Sequence, residues 1–171
     1  MNTENCAFLG NCSLQALQHE AETTKKVLRA VSAGKGEYRP HPDSRSALDL
    51  AWHLAASEIW FLEGIARGDF KAHETPRPAN LTSGADIAAW YEKNFSAAME
   101  KLSKLPPEQF AKPTDFMGVY NFPLAFYCDF ALRHSVHHRG QLCAYLRPMG
   151  AKVPKIYGGS FDEPFTASTT A

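Results

Sequence analysis

Four long stretches of the chain carry apolar residues at steps of three and four, and segments that contain proline or glycine separate them. Side chains at this spacing lie along one stripe of an α-helix, and that stripe has to be buried against another element. Four such helices in 171 residues are typical of a four-helix bundle. Because no segment alternates apolar and polar residues over the length of a strand, we predict an all-α fold without a sheet.

Capping and helix-breaking residues set the expected bounds of the helices. The predicted helices cover 8–31, 46–68, 83–102 and 123–146. Ser46, with Asp49 three residues later, is a helix start signal. Gly68 is a typical helix end, and Pro123 suits the first turn of the last helix.

The segments between the helices differ in length and character. Residues 69–83 contain two prolines and several polar residues, which predicts a long surface loop joining distant helix ends. Residues 110–121 are expected to form a linker. We expect the chain 1–171 to fold as a single domain, with its last residues, 166–171, disordered.

Charge and hydropathy exclude several classes of protein. Lys and Arg together number 18, as do Asp and Glu, so the formal net charge is zero and no basic excess is available to bind nucleic acid. No stretch reaches the roughly 18 consecutive apolar residues of a membrane span, and residues 2–5 lack the features of a signal peptide. We therefore expect a cytoplasmic protein that binds neither nucleic acid nor a membrane.

The four cysteines are scattered along the chain, and none belongs to a C-x-x-C pair. They are Cys6, Cys12, Cys128 and Cys143. A chain of this length does not need disulfides to fold, so we expect free thiols or small buried side chains rather than disulfides or metal ligands.

Histidines are the side chains best placed to carry chemistry. His134 and His138 lie four residues apart in the last predicted helix, so they share one face with Cβ atoms about 5–6 Å apart and can bind one metal ion together. The glutamate that acts as the general base in H-E-x-x-H metalloproteases is missing, which argues against protease chemistry. His137 has a spacing of three from His134, but it lies beside the apolar stripe and is expected at the rim of the site.

His53 is the best candidate for a third ligand. It lies in the most apolar helix, between Trp52 and Leu54, where burying an imidazole without a partner is unfavourable. The alternative is a core histidine satisfied by one hydrogen bond, and the residues alone leave both interpretations open. The other histidines fall on a polar face or in loops: His19, His41 and His73.

Two blocks of sequence resemble the DinB/YfiT-like family of metal-dependent bundle proteins. The first is PHPDSRSALDLAWHL at 40–54. The second is HSVHHRGQL at 134–142, which matches the family pattern H-x-x-H-H-R-G-Q, followed by YLR at 145–147 and by Gly150 and Val-Pro at 153–154. The resemblance covers the chain from the first helix to about residue 157.

This resemblance implies a four-helix bundle with up-down-down-up order. It also implies a homodimer and one divalent metal ion, with zinc or nickel expected, held by one histidine of the second helix and two of the fourth. In this sequence those residues are His53, His134 and His138. The long loop at 69–83 agrees with that order, because parallel neighbouring helices need a long connection.

Three histidine ligands leave a tetrahedral metal ion with one open position, as in catalytic sites. Members of the wider family resemble S-transferases and isomerases that use low-molecular-weight thiols, so our leading hypothesis is a thiol-dependent S-transferase acting on a small-molecule substrate. One alternative is a non-catalytic, damage-inducible metal-binding protein. Another is a metal-dependent hydrolase in which Glu58 or Asp129 acts as the base.

Residues around the site have less specific roles. Asp49 either orients His53 or only completes the helix cap. Arg139 and Gln141 are expected to hold the structure around the site, and Gly140 to permit close approach of a helix. Large aromatic residues are expected in the core: Trp52, Trp60, Trp90 and Phe126.

Overall fold

The computed structural model describes residues 1–71 and 76–165. The predicted disorder of 166–171 and the loop position of His73 lie outside these residues. In the described part the chain forms five α-helices and a two-stranded antiparallel sheet. The elements are α1 (Thr3–Arg29), α2 (Ala47–Arg67), α3 (Gly84–Leu102), α4 (Pro107–Phe110), β1 (Pro113–Phe116), β2 (Tyr120–Pro123) and α5 (Leu124–Leu146). The four long helices confirm the predicted all-α bundle.

The helix starts follow the capping residues. Ser46 Oγ accepts the backbone N–H of Asp49 at 3.1 Å, and Ser83 forms a reciprocal capping box with Asp86. The start predicted for α1 is wrong by five residues. The side chain of Asn2 caps a helix that begins at Thr3, so the polar residues before the apolar stripe form its first turn.

The contacts of α2 show that it runs parallel to α3. Tyr91 Oη donates to Glu58 Oε1 at 2.5 Å, and further along both helices, in the same direction, Lys101 pairs with Glu63 at 2.7 Å. Positions therefore advance together along the two helices. The long segment between α2 and α3 makes this parallel arrangement possible, as expected for the 69–83 loop.

α5 runs antiparallel to α2. The rings of Phe61 and Phe130 lie 5.3 Å apart, whereas His53, earlier in α2, meets His138, later in α5. α1 runs antiparallel to α3, because the end of α1 lies against Gly84 at the start of α3. The resulting order is up-down-down-up, as the family resemblance implies.

Arg139 ties α5 to α1 from within the bundle. Its side chain is 1% exposed, pairs with Glu20 at 2.5 Å and donates to Tyr157 Oη at 2.5 Å. The structural role expected for Arg139 agrees with these contacts. The close helix approach expected at Gly140 is wrong, because a Cβ atom there would meet no atom within 4 Å and the residue is exposed.

The expectation of no sheet is also wrong. The linker at 110–121 begins at the last residue of α4 and contains most of a hairpin, in which Thr114 pairs with Phe122 and Phe116 with Tyr120. Each strand has only four residues, so its alternation is too short to distinguish from a loop. The ring of Phe116 stacks on that of Tyr127 at 5.4 Å, which fixes the hairpin against the start of α5.

The aromatic residues expected in the core differ in how far they are buried. Trp52 is buried, Trp60 and Trp90 are partly buried, and Phe126 is 38% exposed, so the core prediction is wrong for Phe126. The cysteines in the described residues are all free, as expected. None of the helices in 1–71 and 76–165 is long and apolar enough to cross a membrane.

Candidate metal centre

The antiparallel crossing of α2 and α5 brings three histidines together. His53 lies two turns into α2, and His134 and His138 lie one turn apart on the facing side of α5. One ring nitrogen from each histidine lies within 4.8 Å of those from the other two, and the Nε2 atoms of His53 and His138 are 3.2 Å apart. Each side chain is partly buried, so the cluster lies at the edge of the core rather than on the open surface.

The nitrogen spacing fits a shared metal ion. Two nitrogens bound to zinc at about 2.0–2.1 Å with a tetrahedral angle lie about 3.3 Å apart. The 3.2 Å between His53 Nε2 and His138 Nε2 is close to this value. The cluster could therefore hold a divalent ion without a large movement of either helix.

Hydrogen bonds at the other ring nitrogen favour the tautomer that a metal needs. His138 Nδ1 lies 3.0 Å from Gln141 Oε1, a pure acceptor, so Nδ1 carries the proton and Nε2 keeps its lone pair. His53 Nδ1 lies 3.3 Å from Ser57 Oγ. Since the Ser57 hydroxyl donates to the His53 carbonyl, its oxygen is left to accept from His53 Nδ1.

The surroundings keep the imidazoles neutral. Burial lowers the pKa of His53 to about 4, assisted by the positive charge of Arg45 and by His138. Burial and the neighbouring histidines lower the pKa of His134 to about 3, and burial likewise lowers that of His138. Neutral imidazoles are the form that binds metals, so the cluster is ready to bind an ion near neutral pH.

A cavity of about 750 Å³ opens beside His53 and His134. Its walls combine aromatic rings with two guanidinium groups, Arg45 and Arg77. The tip of the hairpin contributes Met117. This volume lies in the range of small-molecule sites, about 300–1,000 Å³, so a ligand of that size can reach the histidine cluster.

A family model described as the DinB family matches residues 1–168. The chain belongs to the DinB family. The match spans nearly the whole chain and confirms the resemblance drawn from the two sequence blocks.

Solved DinB-like proteins share this fold. The chain is similar to a DinB-like protein from Bacillus cereus ATCC 10987, with 27% identity and a TM-score of 0.72 over 85% of this chain and 95% of that one. It also resembles the DinB-like protein YjoA from Bacillus subtilis, with 22% identity and a TM-score of 0.66 over 90% of this chain and 99% of that one. The second likeness, at lower identity, supports the fold alone.

Sequence searches find two Bacillus subtilis proteins. YjoA is 25% identical over 129 residues, which are 74% of this chain and 82% of YjoA. YrdA is 26% identical over 151 residues, which are 88% of this chain and 89% of YrdA.

The other histidines that the structure describes in this DinB-family chain are not part of the cluster. His137 is exposed at the rim, with its ring centroid 4.8 Å from that of His138, as expected. His19 is exposed on α1, and His41 is exposed beside Asp43.

Asp49 completes the helix cap rather than orienting a histidine. Its carboxylate accepts from Ser46 Oγ at 2.7 Å and pairs with Arg77 at 3.4 Å and Arg39 at 3.5 Å. The residue that contacts His53 Nδ1 is instead Ser57, which the sequence analysis missed. Its spacing of four from His53 was the available signal.

The two carboxylates proposed as hydrolytic bases have other partners. Glu58 is fully buried and accepts from Tyr91 Oη and Ser135 Oγ. Asp129 pairs with Arg133 on the surface of α5. Neither lies among the described residues that line the cavity, so the geometry does not place Glu58 or Asp129 as the base of the hydrolase alternative.

Proposed function

We propose that this DinB-family protein binds one divalent metal ion, zinc or nickel, through His53, His134 and His138, and that it is a transferase using a low-molecular-weight thiol. The observation that carries the proposal is the convergence of three neutral imidazoles within 4.8 Å beside a cavity of about 750 Å³. No other cluster of three metal-ligating side chains occurs in the described part of the chain.

The number of ligands supports an exchangeable position. Structural zinc sites normally have four protein ligands, whereas catalytic sites have three. In the described residues no fourth His, Cys, Asp or Glu joins the cluster. Since His53 and His134 line the cavity, an open position there would face a space that admits a small molecule.

A bound divalent ion would supply Lewis acidity, which lowers the pKa of a thiol placed at its open position. Ser57 and Gln141 hold the imidazoles of His53 and His138 in the ligating tautomer, and aromatic walls line the cavity beside them. In the transfer the thiol loses its proton to solvent, its sulfur forms a bond to an electrophilic carbon, and the leaving group departs with the electrons of the broken bond.

Cobalt loading tests metal binding and thiol binding together. We expect one equivalent of Co²⁺ to bind, and a small thiol to produce a new sulfur-to-cobalt absorption band. His138→Ala should weaken metal binding by at least about 100-fold. Loss of a ligand should cost more than loss of a residue that only hydrogen-bonds a ligand. His137→Ala is the matched control and should bind as the unchanged protein does.

Two results would overturn parts of this proposal. If His138→Ala binds one equivalent of Co²⁺ with unchanged affinity, the ligand assignment is wrong. If the metal binds but thiols give no new band, the protein is better described as a non-catalytic metal-binding protein. The homodimer stays a prediction, which sedimentation of the purified protein tests.

A further inference from the structure

The two arginines that line the cavity differ in their partners. Arg77 donates to the Leu81 carbonyl at 2.7 Å and pairs with Asp49, so its position is fixed and its charge is balanced. Arg45, which directly precedes the cap of α2, makes no hydrogen bond or ion pair with any residue that the structure describes. Among the described residues, one guanidinium of the cavity thus has partners and the other has none.

The carboxylate in the described lining of the cavity already has partners. Asp49 is the only acidic residue among the described residues that line the cavity, and it accepts from Ser46 and pairs with both Arg39 and Arg77. The positive charge of Arg45 is therefore not balanced within the described lining.

The rest of the cavity lining is mainly aromatic and apolar. Rings from α2, α5 and the hairpin form its walls: Trp52, Trp60, Phe61, Phe116 and Phe130. A mostly apolar pocket with a few polar groups orients its ligand by those groups. The free guanidinium and the histidine cluster are the polar features that can do so here.

We propose that Arg45 binds a carboxylate of the small molecule that occupies this cavity, so that the ligand is a carboxylate on an apolar body. This inference rests on the proposed function, because it concerns the ligand of the same site. Either reactant, the thiol or the molecule that accepts its sulfur, can supply the carboxylate. A guanidinium suits this group because its N–H donors match the two carboxylate oxygens.

Two pairs of ligands separate the carboxylate from the sulfur. N-acetylcysteine and its amide both carry a thiol, and 3-phenylpropanoate and 3-phenylpropanamide carry none. Calorimetry and the fluorescence of the cavity tryptophans measure the binding of each to metal-loaded and metal-free protein. For at least one pair we expect the carboxylate to bind about tenfold more tightly than its amide, since a hydrogen bond to a charged group contributes more than a neutral one.

Variants test whether Arg45 is responsible. Arg45→Gln should remove the preference for the carboxylate and leave amide binding unchanged, while Arg45→Lys should keep part of it. Arg133→Gln is the matched control, because Arg133 is exposed on α5 and does not line the cavity. Arg45 is itself exposed, so its replacement should not unfold the protein, and a thermal melt checks this.

The outcomes distinguish this inference from the proposed function. In one outcome N-acetylcysteine and its amide both give the cobalt band and bind with equal affinity, and the phenyl pair shows no preference for the carboxylate. That outcome would leave the proposed function standing and overturn the role of Arg45. A carboxylate preference that depends on Arg45 but occurs without any thiol band would keep the carboxylate site and overturn the transferase. Failure of both carboxylates to bind at millimolar concentration, or a preference unchanged in Arg45→Gln, would also overturn the inference.

Discussion

Two polar clusters lie between α2 and α5, and their partners differ. In the histidine cluster each observed outer hydrogen bond is at Nδ1, which leaves Nε2 of His53 and His138 free to bind an ion. In the buried cluster, two hydroxyl groups donate to the two oxygens of Glu58, and the carboxylate is fully enclosed. The first arrangement leaves lone pairs available beside a cavity, whereas the second satisfies its polar atoms within the core.

This difference separates a site suited to binding from a network suited to structure. Buried polar groups are tolerated when they are satisfied, and removing one partner is costly. We therefore expect changes in the buried network to alter folding stability, and changes around the histidines to alter metal binding. The following variants test whether stability and metal binding depend on separate clusters.

The largest stability effect is expected at Arg139, a buried cation whose charge acts on Glu58 in the buried cluster. Arg139→Met removes a buried cation and leaves the carboxylate of Glu20 without its ion pair, which should destabilise the fold by about 3 kcal/mol. Chemical denaturation measures the change. Arg133→Met, in an exposed pair, should stay within about 0.5 kcal/mol.

The same variant tests the division between the clusters. In conditions where Arg139→Met remains folded, its Co²⁺ affinity should match that of the unchanged protein. A large loss of metal affinity would show that the buried network supports the histidines, and the comparison would fail.

The next effect is a pH dependence of stability that arises from Glu58. Burial raises the pKa of Glu58 from 4.5 to about 7, although hydrogen bonds from Ser135 and Tyr91 and the charge of Arg139 oppose this. An acid with a raised pKa in the folded state holds its proton there after the unfolded chain has lost it. Its ionisation therefore reduces stability as the pH rises from about 4.5 to 7.

Glu58→Gln removes this dependence. At pH 5 it should resemble the unchanged protein, while at pH 8 it should be more stable by about 2–3 kcal/mol relative to that baseline, since one pKa unit corresponds to about 1.4 kcal/mol. Denaturation across this range measures the difference. Glu92→Gln should change stability in the opposite sense, because the Lys25 ion pair lowers the pKa of Glu92. Parallel profiles for Glu58→Gln and the unchanged protein would contradict the raised pKa.

The sequence predicted the features that depend on local chemistry. The cap at Ser46 identified the start of α2, and the i, i+4 spacing of His134 and His138 placed both on one face. Features that depend on distant contacts were missed. The hairpin is held by Phe116 packing on residues far along the chain, and this packing has no signature in a four-residue strand.

The partners of the site were only partly predictable. Ser57 and Gln141 lie four and three residues from the histidines they contact, so helical spacing alone could have identified both. Nothing in the local pattern marks Glu58 as a network residue or Arg45 as part of a cavity wall. Their surroundings come from three or more segments that meet only in the folded chain.

The smallest effect is expected at Gln141, which acts on the metal through His138. Gln141→Ala removes the acceptor that holds Nδ1–H of His138, so Co²⁺ affinity should fall by about tenfold. This is the low end of the range for residues that hydrogen-bond a metal ligand, because the contact is exposed. Gln141→Glu keeps an acceptor and should retain or exceed the original affinity. A merely structural role would predict loss in both variants, together with a lower melting temperature of the metal-free protein. If Gln141→Ala binds Co²⁺ unchanged, the tautomer of His138 does not depend on this contact, and the division between the clusters rests on the histidines alone.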